Sequence, residues 1–187
     1  MSRLRQPEIT GRPSPGRSPR RFLAIFVPCF LFGFALVITP AVKPWIVKFS
    51  GALVKTSATL ITACGGKARI EGDNGTILRE PRSGYGVEMK DGCNGVNVTI
   101  LLWAALIAFP ASRIQKAKGL LLGGLAIQAM NEVRFVSLYY LLQYDRSLFD
   151  FAHEYLWESL IILDAFVVFW FWAQRVCRSA AMLSAAV

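Results

Sequence analysis

The chain has 187 residues, 54% of them hydrophobic, with 21 basic and 12 acidic side chains and a net charge of +9. A mean hydropathy of +0.43, with the apolar residues gathered into long blocks, excludes an ordinary water-soluble domain and predicts an all-α polytopic membrane protein. The basic residues lie beside those blocks, where topology and anionic lipid account for them. The expected partner is therefore the lipid bilayer and not nucleic acid.

Residues 1–21 carry six basic side chains among Pro and Ser and read as a disordered, basic cytoplasmic tail. The uncharged run Phe22–Val42 follows, 21 residues long, enough for the ~20 that cross a bilayer as helix. It exceeds the ~7–15 residues of a signal-peptide core, and no A-x-A site follows it, so it reads as a retained first span. Residues 43–92 form the expected extracytoplasmic segment. Apolar residues recur at 46, 49, 53 and 60 and at 47, 54 and 61, with Lys48 and Lys55 on another face. That spacing predicts an amphipathic helix lying on the outer membrane surface. Asn74-Gly75 then predicts a small β-hairpin or three-stranded meander leading to Cys93.

The second span is the uncharged run Gly92–Ser112, also 21 residues. The third, Gly119–Tyr144, is interrupted only by Glu132 and Arg134, and its opening GLLLGGLAIQA suits close helix packing. The fourth, Tyr155–Gln174, is interrupted by Glu158 and Asp164. The short 145–154 loop makes the last two spans antiparallel neighbours. The expectation is about four transmembrane helices in one domain, 22–175, and a cytoplasmic tail, 176–187. Arg113, Lys116 and Lys118 in one turn, and Arg175 and Arg178 after the last span, place those segments inside with the N-terminus. The 43–92 and 145–154 loops are then outside. The 43–92 loop weighs against this with eight basic residues and five acids, but over a longer stretch, where the rule counts for less.

The four cysteines, Cys29, Cys64, Cys93 and Cys177, have no metal-ligand spacing and no C-x-x-C. Cys64 and Cys93 share the outer side, where a disulfide between them is permitted. The setting of Cys93 in DGCNG offers another reading. Gly92 and Gly95 remove bulk so that a peptide backbone can approach, and a helix N-terminus just beyond lowers a thiol pKa. Arg134, in NEVR, is an ionisable group inside a span, about 22 Å along the third helix and so in its outer half. Its structural alternatives are snorkelling, or an ion pair with Glu158 or Asp164. Asn131 shares its face, whereas Glu132 points elsewhere and pairs with another group. His153, the only histidine, opens the fourth span on the outer side. Asp164, eleven residues on, shares the face of His153 but lies deeper.

Three segments thus bring a thiol, a guanidinium and an imidazole to the outer leaflet. Imidazole can take the thiol proton and later protonate a leaving amine. Guanidinium can steady a thiolate or an oxyanion. The set suits attack on a peptide bond through an acyl-enzyme, and it implies no metal or organic cofactor.

GCNG before a membrane helix, NEVR inside the next and HEY at the head of another, in the order Cys, Arg, His, resemble the exosortase/archaeosortase family of integral membrane cysteine transpeptidases. The resemblance implies Cys93 as nucleophile, Arg134 as transition-state stabiliser and His153 as general acid/base. Asn131 belongs to the N-x-x-R pattern, and Gly92, Asn94, Gly95 and Asp164 are supporting positions. It further implies substrates that end in a short motif, one transmembrane helix and a basic tail, processed at the periplasmic side of a bacterial inner membrane. Four spans, where longer members carry about eight, and GCNG in place of Cys-Ser/Ala-Gly resemble the short, H-like form. Two other functions fit the residues. One is a non-catalytic scaffold or export-complex subunit with Cys93 in a structural disulfide. The other is a small transporter lined by Arg134, Glu158 and Asp164.

Overall fold

The computed structural model describes residues 18–185. Residues 1–17 of the expected basic tail lie outside the described residues. Helix α1, Pro19–Ile38, begins three residues earlier than the apolar run because Ser18 caps it, accepting from the Arg21 amide, with Pro19 in the first turn. None of its residues is buried by protein. Phe22, Phe26, Phe30 and Phe34 stack along one side at centroid spacings of 5.7, 6.1 and 6.2 Å.

Helix α2, Lys43–Ala63, buries Ile46, Ser50, Leu53, Val54, Ser57 and Ile61. The periodicity predicted the helix correctly, but the stripe does not lie on lipid. It packs on protein, against the small sheet and the C-terminal half of α4, around Val54, Ile61, Leu78, Val87, Phe135 and Tyr139. Phe49 and Leu60, two of the predicted apolar positions, are left exposed. The sheet is an antiparallel meander, β1 Arg69–Glu71, β2 Ile77–Arg79 and β3 Gly86–Glu88, in the order β1-β2-β3. Leu78 pairs with Ile70 on one side and Val87 on the other. Gly51 of α2 lets the β1–β2 turn close in: a Cβ there would lie 2.6 Å from the Asn74 carbonyl oxygen.

Helix α3, Val96–Ala108, covers only 13 residues of the 21-residue uncharged run. Helix α4, Arg113–Tyr144, starts on a capping box between Ser112 and Gln115. The glycines that the sequence marked for close packing do that work: Gly119 faces Trp172, Gly123 faces Leu102 and Gly124 faces Trp103. Leu102, Leu106, Ile127 and Ala165 form a second core, joining α3 and α4 to the last helix.

The expected 145–154 loop is itself helical. Asp145 caps α5, Arg146–Phe151, by accepting from the Ser147 and Leu148 amides. A π turn, Ala152–Leu156, connects it to α6, Trp157–Ala185. The expected C-terminal tail is therefore largely a continuation of α6. Among the described residues, two helical runs are long and apolar enough to cross a membrane, Pro19–Ile38 and Arg146–Ser179. α3 is apolar but shorter, and α4 carries charges in its middle.

Candidate active site

The loop between β3 and α3 is held by its asparagine. The Asn94 side chain is 1% exposed. It donates to the Ser50 hydroxyl of α2 at 3.1 Å and accepts from the Val96 amide at 3.2 Å. Gly92 and Gly95 take φ of +92° and +71°, a region that side chains with a Cβ disfavour. With Asn94 turned inward and both glycines bent, Cys93 is half-buried, its amide bonded to the Lys90 carbonyl at 3.0 Å.

Three elements meet at its sulfur. The His153 Nε2 lies 3.7 Å from Cys93 Sγ, and an Arg134 Nη lies 4.0 Å from it. Arg134 is 3% exposed, so the charge is withdrawn from lipid and water alike. The same Nη is 3.5 Å from Glu158 Oε1, which supplies the opposite charge that such burial requires. His153 stacks on Phe149 at a centroid distance of 5.7 Å.

The π turn explains how one helix supplies both His153 and Glu158. In regular α-helix, residues five apart point about 140° away from each other. Here the Trp157 amide bonds back to the Ala152 carbonyl, five residues earlier, so the turn holds one more residue and brings both groups to one side. Such turns recur at functional sites. The same extra residue breaks the expected register between His153 and Asp164, parting them by about 80°. Asp164 is not joined to Cys93, Arg134 or His153 by any hydrogen bond or ion pair among the described residues, and its Oδ2 is buried without a partner. Glu158, not Asp164, pairs with Arg134.

The remaining expected positions divide. Asn131 is fully buried, and neither amide atom has a hydrogen-bond partner. It packs under the site: a Cβ on Gly95 would fall 3.3 Å from Asn131 Cγ and 3.0 Å from Gln128 Nε2. Gly95 therefore serves close packing of α3 on α4, not open approach. Gly92 does face open space. Glu132 points away, as expected, and accepts from the Ser57 hydroxyl of α2. Cys64 and Cys93 are both free thiols, so the disulfide offered as a structural alternative is not formed.

Burial pushes the Cys93 thiol above its ordinary pKa, with Glu158 adding to the rise, while Arg134 and Lys90 pull it down. The expected lowering by a helix N-terminus does not prevail, because α3 starts only at Val96 and desolvation outweighs the neighbouring cations. The sulfur is therefore a thiol at rest beside a potential proton acceptor. Sequence reasoning missed the π turn, the Asn94–Ser50 bond and the choice of Glu158. Only the last had a signal, as one of the two acids in the final span.

Cys93 and His153 open into a pocket of about 390 Å3, shared with Gly86, Glu88, Lys90 and Arg146. No curated protein and no solved structure matches the chain. The family model of the transmembrane exosortase matches residues 17–176, a span that holds every element from α1 to most of α6 and all three residues around the sulfur. The chain belongs to the transmembrane exosortase family.

Proposed function

We propose that this exosortase is a cysteine transpeptidase of the bacterial inner membrane that cleaves C-terminal sorting signals at its periplasmic face. The observation that carries the reading is the approach of His153 Nε2 and the Arg134 guanidinium to a single sulfur, at 3.7 and 4.0 Å. Four spans, α1, α3, α4 and the run from α5 into α6, bring both ends to the cytoplasm and hold α2 and the sheet outside. The substrate's own helix docks laterally beside α3, α4 and α6, and its scissile peptide meets Cys93 where Gly92 leaves the sulfur open.

The raised thiol pKa favours a general-base route over a preformed thiolate. As Sγ attacks the carbonyl carbon, its proton passes to His153 Nε2, and the carbonyl π electrons move onto oxygen. The Arg134 guanidinium, oriented by Glu158, steadies that charge. The intermediate collapses to a thioester, the C–N bond breaks, and His153 returns the proton to the departing amine, which leaves with the transmembrane tail. An incoming amine or water then attacks the thioester, giving up its proton through His153, and the thiol is regenerated.

The test is co-expression with a reporter bearing a short motif, an apolar helix and a basic tail. Cys93→Ala is expected to abolish processing, and His153→Ala to slow it about 10²–10⁴-fold. Processing that persists in Cys93→Ala would overturn the nucleophile assignment.

A further inference from the structure

β3 is an edge strand, with β2 on one side and, among the described residues, no strand on the other. Which of its backbone groups face the open side follows from its ladder. The Met89 amide donates to the Thr76 carbonyl at 2.9 Å, and the Glu80 amide donates to the Tyr85 carbonyl at 2.8 Å. These bonds bracket the Leu78–Val87 pair. In an antiparallel ladder, bonded residues alternate along the strand. Residues 85, 87 and 89 therefore turn their N–H and C=O toward β2, and Gly86 and Glu88 turn theirs away.

Natural folds cover, charge or shorten such an edge, because it recruits another strand. This edge is short, yet it lines the same 390 Å3 pocket that holds Cys93 and His153. Val87 and Met89 anchor the strand from beneath, at 7% and 3% exposure in the core shared with α2 and α4. Gly86 presents no side chain on the exposed face. The result is a rigid backbone template running into the sulfur.

We propose that the sorting motif binds as an extended strand added to the open edge of β3, pairing with Gly86 and Glu88 and so aligning its scissile bond with Cys93. This rests on the transpeptidase reading and deepens it. Main-chain pairing supplies affinity without demanding a particular side chain at every position. Selectivity then falls on alternate residues of the motif, those on the face that meets Lys90 and Arg146 across the pocket. The occupant is thus an extended peptide, whose side chains meet Lys90 and Arg146 across the pocket and the Glu88 carboxylate on the strand itself.

Proline at an outward-facing edge position removes an amide that the ladder does not use. Glu88→Pro is expected to lower reporter cleavage about tenfold, and Glu88→Ala, which keeps the amide, to lower it several-fold less than Glu88→Pro does. Unchanged alkylation of Cys93 in Glu88→Pro verifies that the loop is intact. A second readout does not need catalysis. In a Cys64→Ala/Cys93→Ala background, Glu88→Cys is oxidised against single cysteines placed along the reporter motif. Strand pairing predicts disulfides at alternate positions only. Uniform or absent cross-links, or full cleavage by Glu88→Pro while Cys93→Ala is inactive, overturns the edge-docking proposal. Cleavage by Cys93→Ala would instead overturn the nucleophile assignment and leave the cross-linking pattern to decide docking.

Discussion

Cys93 is set by opposing influences of different reach. Desolvation raises its pKa, and Arg134 at 4.0 Å offsets only part of that rise. The net direction is upward, which favours the protonated sulfur at neutral pH. Alkylation of Cys93 by iodoacetamide should climb steadily through mildly alkaline pH without levelling off. Arg134→Gln removes the main opposing cation, so it should shift the curve to still higher pH. A plateau near neutrality would mean that a stable thiolate–imidazolium pair forms instead. The residue types at this site were legible in the sequence, because a thiol, an internal Arg and a single His are conspicuous near membrane segments. Their protonation was not legible, because it depends on which atoms exclude water from the sulfur.

At the scale of the element, the π turn is the feature on which the site's register depends. It places His153 in the phase of α5 and Glu158 in that of α6, and both reach the Cys93–Arg134 pair. Inserting one alanine after the exposed Tyr155 adds a residue that the turn has no room to absorb, so it should rotate one group away by about 100° and cut reporter processing by about 100-fold or more. Membrane insertion and extraction in detergent should be unchanged, as judged by gel filtration. Processing near the wild-type rate would show that the register of the turn is irrelevant. Other elements were readable because their signals are local: Asn74-Gly75 as a turn, the small residues of GLLLGGLAIQA as a packing face, and the periodicity of α2. The burial of α2 on protein was not readable, since an apolar stripe looks the same whether lipid or a sheet covers it.

The described residues form two cores that α4 joins, one under the sheet and one among α3, α4 and α6. Outside them, large apolar side chains face outward. Leu121, Leu122 and Leu125 on α4, and Phe166 and Phe171 on α6, are 59–65% exposed, and no residue of α1 is buried. Continuous apolar surface of this kind needs a lipid environment. The proposed topology makes a prediction for intact cells. In a Cys93→Ala background, an impermeant maleimide should label the exposed Cys64 directly and Cys177 only after permeabilisation. The reverse pattern would invert the orientation and place the sheet in the cytoplasm.

The sequence alone determined the membrane character, the long apolar helices, the meander before Cys93 and the three reactive groups, because each is written in a contiguous run or a single rare residue. Only the tertiary structure decided that Glu158 holds Arg134, that Asp164 drops out of register, that Asn94 anchors the loop to Ser50 and that β3 offers an open edge beside the sulfur. Those outcomes depend on distances between segments far apart in the chain. One inserted residue in a helical turn, or one buried hydrogen bond, changes them without leaving a mark on composition or periodicity.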